Sequence, residues 1–453
     1  MSTTPTAPRP ALLLLAYLAF VSLGLPDGLL GVGWPSIRTA FGVPTEAVGV
    51  LLTVGAAGYL TSSVLAGFTL ARLGVGRLLA GSTLLAGSTL TGYALSPGLT
   101  LMIGCAFLLG IGSGAIDSGL NAYAAGAFGP RHMNWMHAFF GLGVAAGPLI
   151  MTVAVSVGPG WRWGYAVVAA AQLALAVAFA LTVRAWRDRG ATAPSTTATV
   201  APVAVPPAGS GPAAPVAAAV VEGGREPGVV GGPVGGAAPA GPPAGLAPAG
   251  PPATVPIAQT LRLPAVWLGA LAFVAYVGIE AAAGLWAFLL LTEGRGLGPT
   301  AAGLCVSAYW GSLFVGRLVQ GVGAERLGAA RVLRGSLVGM AVGAALIALP
   351  APVWVAVAGL VVLGFAAAPV FPLLTLTTAD RVGAAHADRT IGLQIGASSL
   401  GVSAIPAGIG VLLSRISVEA LGPALLLLAL GLIALHAAAV RRPAGGAGPA
   451  VAG

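Results

Sequence analysis

Residues 67–78 read GFTLARLGVGRL, and residues 321–332 read GVGAERLGAARV. Gly67, Arg72, Gly74 and Arg77 of the first stretch return in the second as Gly321, Arg326, Gly328 and Arg331, at a constant offset of 254. Each stretch closes one long apolar run and opens another. The same offset takes Gly24 to Gly278, Gly81-Ser82 to Gly335-Ser336 and Gly110 to Gly364. Later in each copy it becomes 258, taking Gly143 to Gly401 and Pro148 to Pro406. The chain is a duplicated unit. Duplicated apolar units joined by short basic hairpins are a common plan for secondary transporters.

Composition names the solvent. Of 453 residues, 57% are hydrophobic and 7% charged, with a mean hydropathy of +0.95. No soluble fold buries that much apolar surface, so the bilayer surrounds most of the chain. The 70 Gly and 35 Pro fit the same reading, because lipid-embedded helices tolerate both. The net charge of +9 comes entirely from arginine. These arginines are scattered through short loops rather than clustered, which argues against nucleic-acid binding. Cys105 and Cys305 stand alone in apolar runs and support neither a disulfide nor a metal site. The apolar stretch from Ala11 reads as a retained first helix, not a cleaved signal.

A spanning helix needs about 20 apolar residues. Breaks at Pro, Gly and Arg predict spans at 11–33, 45–70, 78–96, 99–125, 137–158 and 162–183. Six more are predicted at 264–290, 299–323, 333–350, 353–379, 391–413 and 420–439. The expected fold is all-α: twelve transmembrane helices in two pseudo-symmetric six-helix bundles, residues 1–189 and 257–442. Between them, 190–256 reads as a disordered Pro/Ala/Gly-rich linker, and 443–453 as a flexible tail. With the N-terminus inside, 16 of the 21 arginines fall in cytoplasmic segments. Only Arg38, Arg162, Arg295 and Arg415 fall outside, and Arg317 sits within a span. The asymmetry places both termini in the cytoplasm.

Twelve spans in two related halves, with basic hairpins after spans 2 and 8, resemble the major facilitator superfamily. In that family the hairpin residues, here Gly67, Arg72, Gly74, Arg77, Gly321, Glu325, Arg326, Gly328 and Arg331, latch helices on the cytoplasmic side as the halves rock. Ala71 stands where the family carries an acid, which implies a weakened N-terminal latch. A narrower resemblance is to the fucose/glucose-type sugar symporters. It rests on LPDGLLGVGW around Asp27, DSGLN with Asp117 and Asn121, and RHMNWMHAFFGLG with Arg131, Asn134 and His137. Phe140 departs from it, since fucose carriers have an amide there. The resemblance implies alternating access in a bacterial cytoplasmic membrane, with a small polar solute, possibly a sugar, moved by symport with protons.

Three carboxylates lie well inside spans: Asp27, Asp117 and Glu280. A charge at the bilayer centre costs at least about 2.5–3.5 kcal/mol on insertion scales, so each needs a partner, water or a proton. A carboxylate removed from water favours its protonated form, the chemistry a proton-coupled carrier requires. Asp27 follows Gly24 and Pro26, where the helix is expected to open to water. Glu280 falls at the pseudo-equivalent of position 26, so the two acids are expected to face one central cavity from opposite halves. Asp117 and Asn121, four apart, share a helix face, either as proton carrier beside a hydroxyl-matching amide or as a structural pair. His137 is a candidate relay or interfacial anchor, and Arg317 is expected to snorkel to the interface.

Further candidate solute contacts are Trp286, Tyr309, Phe371 and Gln394. Glu280 and Trp286, six residues apart, fall on different helix faces unless the helix breaks at Gly284. Phe371 and Thr375 replace Asp117 and Asn121 in the second copy, so ionisable chemistry is concentrated in the first. The expected partners are a small-molecule solute and lipid, without nucleic acid, and the expected state is a monomer. No cofactor or metal is expected; the coupling ion is H⁺ or Na⁺. The alternative is a drug/proton antiporter, supported by Gly143-x-x-x-Gly147-Pro148, part of the antiporter pattern. No phosphate loop, zinc cluster or nucleophile–base pair marks an enzyme.

Overall fold

The computed structural model describes residues 10–128, 130–186 and 256–441. Nearly all of the expected linker, and the tail, lie outside them. The side chains of Arg131, Asn134 and Glu325 lie outside the described residues as well, as does the surrounding of Gly321. Among the described residues, twelve helices are long and apolar enough to cross a membrane. In the first half they are α1 Pro10–Phe41, α2 Val48–Leu73, α3 Val75–Leu95, α4 Leu99–Ala127, α5 Pro130–Ser156 and α6 Trp161–Thr182. In the second they are α7 Pro264–Leu289, α8 Pro299–Leu327, α9 Ala329–Ala348, α10 Val353–Leu376, α11 Ala384–Arg415 and α12 Leu421–Arg441.

The fifth and eleventh helices begin seven residues earlier than the sequence reading placed them, at Pro130 and Ala384, and two further spans differ in another way. The first was expected to end before Trp34-Pro35, but α1 runs through Pro35 to Phe41. Membrane helices accept an internal proline where neighbouring groups satisfy the freed carbonyl. The tenth was expected as one helix over 353–379. Instead it is interrupted at Ala368–Pro369, between Val353–Ala367 and Val370–Leu376. Pro369 and Pro372 each remove a backbone donor within one turn, which is enough to break the ladder there.

The duplication is visible in the backbone. Gly42 and Gly296 have φ of +63° and +66°, and Gly74 and Gly328 have +71° and +86°. Both pairs keep the offset of 254. At Gly74 the ψ is 160°, a region essentially closed to residues with a Cβ. A Cβ there, or at Gly328, would meet nothing within 4 Å. Gly74→Ala and Gly328→Ala should therefore each destabilise through backbone strain alone, by about 1–3 kcal/mol, as a lowered thermal midpoint in detergent.

Other repeated glycines mark helix crossings. A Cβ on Gly24 would lie 2.8 Å from Val144 N of α5, and one on Gly278 would lie 2.7 Å from Ile405 Cβ of α11. Likewise Gly110 abuts Tyr59 N of α2 at 2.8 Å, and Gly364 abuts Tyr309 O of α8 at 2.6 Å. Pairs α1–α5 and α2–α4 thus reappear as α7–α11 and α8–α10. Without a hydrophobic force between helices in lipid, such small-residue contacts supply the close packing that holds each half together.

One face of the bundle carries the Gly74 and Gly328 hairpins and is called the hairpin face; the opposite one is the far face. The halves meet toward the far face. Gly31 of α1 packs on Gly284 O and Leu285 O of α7, Gly49 of α2 on Ala407 of α11, and Ser307 of α8 donates to Ala145 O of α5 at 2.9 Å. A π-helical turn, Leu290–Gly294, ends α7 and carries Glu293. That carboxylate meets Arg38 of α1 at 2.6 Å, and Arg38 also donates to Thr45 Oγ1 at 3.1 Å. The structure is thus a conformer closed at the far face.

Both Arg38 and Glu293 are partly exposed, so the pair is worth about 1 kcal/mol or less. Arg38→Glu or Glu293→Arg should shift the balance of conformers by up to about fivefold toward far-face opening. The double exchange should restore it. Spin-label distances between the far ends of α1 and α7 read both outcomes.

Candidate functional site

A cavity of about 140 Å³ lies between the halves. Among the described residues, its N-terminal wall carries all its carboxylates and hydroxyls: Asp27 from α1, Tyr59 from α2, Tyr93 from α3, Ser113 and Asp117 from α4, and Tyr165 from α6. The C-terminal wall is Ala281, Gly284, Leu285, Trp310, Val402 and Pro406. The lopsided chemistry read from Phe371 and Thr375 is therefore a property of the cavity itself.

Asp117 is only 3% exposed. Its Oδ2 accepts from Tyr59 Oη at 2.8 Å, and its Oδ1 accepts from Asn121 Nδ2 at 3.0 Å. The acid and amide do share a face, one turn apart, and the amide's donor is spent on the acid. Tyr59, which the sequence reading missed, supplies the second donor. Two hydroxyl or amide donors on one buried carboxylate hold it in a single orientation toward the cavity. Tyr93 and Tyr165 pack edge-on with ring centroids 5.1 Å apart. Tyr165 is 1% exposed, and its hydroxyl has no hydrogen-bond partner among the described residues. Tyrosines in the middle of apolar runs were the missed signal, since a buried phenol needs a polar partner.

Glu280 departs from its expected place. It is 0% exposed and is not part of the cavity lining that holds Asp27; its neighbour Ala281 faces the cavity instead. The carboxylate accepts from Tyr276 Oη, and Arg317 Nη2 lies 3.9 Å from its Oε1. Arg317 thus faces an acid rather than snorkelling to the interface, and it offsets a buried carboxylate charge that would be costly to leave uncompensated. Tyr309 Oη donates to the Glu280 carbonyl at 2.9 Å.

The remaining candidates scatter. Trp286 lies on an unbroken stretch of α7 and donates its Nε1–H to Pro406 O at 3.0 Å, behind the cavity wall. Phe371 is buried in an aromatic cluster, 5.0 Å from Phe273 and 6.3 Å from Tyr276 between centroids. Gln394 sits ten residues into α11, where its Oε1 accepts from Thr378 Oγ1 at 3.0 Å. Thr378 Oγ1 in turn accepts from Arg381, whose guanidinium burial pushes down to about 10. His137 is 9% exposed and packs edge-on against Phe20, a residue of the cavity wall, at 5.0 Å. Antiparallel α5 and α8, in register at Ala145–Ser307 and Gly141–Phe314, bring Arg317 opposite His137.

At the hairpin face, Arg72, Arg77, Arg326 and Arg331 are exposed, and none forms an ion pair among the described residues. Gly67 is exposed with open space around it. Arg72 instead stacks 4.0 Å above the Phe68 ring, a contact that a cation at an exposed site makes readily when its acidic partner is replaced by Ala71.

The sequence matches the family model described as Major Facilitator Superfamily over residues 16–406 and 268–451. No curated protein matches it. Among solved structures, a point mutant of the nucleoside transporter NupG is similar at a TM-score of 0.68 and 13% identity, covering 94% of this chain and 100% of that one. A second NupG structure is similar at 0.61 and 14% identity, covering 95% and 98%. At such identities the likeness is one of fold. Twelve apolar helices, a backbone-level repeat and a cavity between the halves agree with the family match: the chain belongs to the Major Facilitator Superfamily, and it is a membrane transporter, not an enzyme.

Proposed function

We propose that the chain is a proton-coupled secondary transporter that moves a small solute through the central cavity by alternating access, with Asp117 and Asp27 as the coupling acids. The observation that carries this reading is that both carboxylates line one cavity at the meeting of the halves. Buried acids in a bilayer are costly and persist where they load and release an ion. Asp117, oriented by Tyr59 and Asn121, is the better placed to accept a proton. Glu280, paired off by Tyr276 and Arg317, acts in conformational coupling within the second half. His137, opposite Arg317, links that cluster to the first half.

The arginine distribution supports a cytoplasmic hairpin face and cytoplasmic termini in a bacterial inner membrane. Far-face Arg295 and Arg162 are spent internally: Arg295 pairs with Glu419 at 2.8 Å, and Arg162 donates to Ser96 O at 3.0 Å. The carrier reading leaves the solute class open: the narrower resemblance points toward a sugar, and NupG, of similar fold, is a nucleoside transporter.

A second reading, exchange of an exported compound for protons, is favoured by one observation. Among the described residues, the cavity's second wall offers a sugar no amide and no hydroxyl, only aliphatic groups and the Trp310 ring.

The test is transport in proteoliposomes under an imposed pH gradient, scanning sugars, nucleosides and lipophilic amines. Solute flux that follows the gradient and vanishes in Asp27→Asn or Asp117→Asn supports the proposal. Flux independent of the gradient and of both acids overturns it.

A further inference from the structure

Two carboxylates, Asp27 and Asp117, face the cavity, and among the described residues no arginine, lysine or histidine lines it. The basic group on the neighbouring α8, Arg317, is turned to Glu280. The charged side chains among the described lining residues are therefore all acidic. Asp117 already receives two neutral donors from Tyr59 and Asn121, so a further neutral hydroxyl adds little to it, whereas a positive charge answers its charge directly.

An independent observation points to a ligand. Tyr165 is 1% exposed, lines the cavity, and its hydroxyl has no hydrogen-bond partner among the described residues. Such a group carries a desolvation cost that a bound solute removes by accepting from it or donating to it. The same cavity is lined by the aromatic side chains Phe20, Tyr59, Tyr93, Phe140 and Trp310. Desolvated aromatic faces attract cations through their ring quadrupoles. The opposite wall of Ala281, Leu285, Val402 and Pro406 suits an apolar body.

Size narrows the class further. The cavity measures about 140 Å³. An engineered protein cavity of about 150 Å³ lined by apolar groups accommodates benzene. A single ring with one charged group matches this space.

We infer that the cavity takes a small organic cation, a protonated amine carrying about one ring, with the ammonium between Asp27 and Asp117 and the ring against the aromatic and aliphatic walls. The inference rests on the carrier reading above and names its solute class. An ammonium and a proton then compete for the same carboxylates, so the two move in opposite directions. No bond is made or broken: the amine enters charged and displaces a proton from the carboxyl it occupies.

The test is calorimetric titration of the purified full-length protein in detergent with benzylammonium, benzyl alcohol, benzoate, glucose and uridine. Benzylammonium should bind, and the isosteric alcohol should bind at least about tenfold more weakly. Asp27→Asn and Asp117→Asn should each weaken the amine by about 10- to 100-fold. Tyr165→Phe, which removes one hydroxyl and leaves the ring, should weaken it by a few-fold; it serves should an aspartate variant fail to fold.

Equal binding of the alcohol overturns the inference. So does amine binding unchanged in the variants, binding of glucose or uridine alone, or no binding by any probe. Proton flux driven by glucose or uridine would sink the cation inference and leave the carrier reading standing. Benzylammonium binding at the aspartates without any gradient-dependent flux would do the reverse.

Discussion

Asp117→Asn should reduce solute-coupled proton movement to the background of protein-free vesicles while the chain still folds. An amide cannot take up the proton, so the transported charge is lost rather than slowed. The structural cost is modest and can be located. In the native site Oδ2 and Oδ1 accept from Tyr59 and Asn121. Asparagine keeps one acceptor and places an NH₂ against the other donor, which costs about 1–3 kcal/mol at a buried site. Thermal unfolding in detergent measures that loss; pH-sensitive dye trapped in proteoliposomes measures the coupling. Tyr59→Phe serves as the comparison. It deletes one donor without touching the carboxylate, so coupling should persist at a reduced rate while Asp117→Asn shows none. Equal proton flux in Asp117→Asn and the native protein would remove Asp117 from the mechanism.

Gly28→Val and Gly147→Val should each prevent formation of a stable first half. These glycines lie where α1 crosses α5. A Cβ on Gly147 would stand 2.7 Å from both Gly28 Cα and Leu25 O, and one on Gly28 would stand 2.8 Å from Pro148 Cδ. The obstructing atoms are backbone and a proline ring, which have no rotamer to move into. Overpacking of this kind costs about 1–3 kcal/mol or more per site even where side chains can adjust. Against a total stability of about 5–15 kcal/mol, valine at such a crossing is a large perturbation. The expected result is loss of the monodisperse peak in size-exclusion chromatography. Gly81→Ala and Gly335→Ala are the controls, since a Cβ at either position meets nothing within 4 Å. They should match or slightly exceed native stability, because alanine favours the helix by about 0.5–1 kcal/mol.

The repeated glycines also show how far the sequence reaches. Gly81 and Gly335 obey the repeat as strictly as Gly24 and Gly278, yet only the second pair touches another helix closely. A repeat in sequence reports common descent of two copies; it does not say which repeated residue is under packing constraint. Span number and order were legible because length and hydropathy alone determine them. The end of α1 was not, because Pro35 reads as a terminator in water but sits inside a helix in this bundle.

The site was legible where its partners share one helix. Asp117 and Asn121, four residues apart, could only meet. Partners on different helices were not readable: Tyr59 lies 58 residues from Asp117, and Arg317 faces Glu280 from a neighbouring span. Glu280 shows a subtler limit. Its pseudo-equivalent is position 26, one residue from Asp27, and one residue on a helix is a rotation of about 100°. Yet Pro26 lines the cavity beside Asp27, so the repeat alone does not turn Glu280 away; its partners Tyr276 and Arg317, within its own half, hold it elsewhere. Trp286, Phe371 and Gln394 were chosen for their chemistry; packing spent each of them elsewhere.

Proton exchange on solute binding tests the central claim most directly. The purified protein, in weakly buffered detergent with a pH indicator, is titrated with the solute that binds it most tightly in the calorimetric series. Benzylammonium is the solute expected to fill that role. The account predicts a stoichiometric proton release that disappears in the Asp27→Asn, Asp117→Asn double variant. Saturating binding with no change in bound protons, or a release that survives in the double variant, would contradict it.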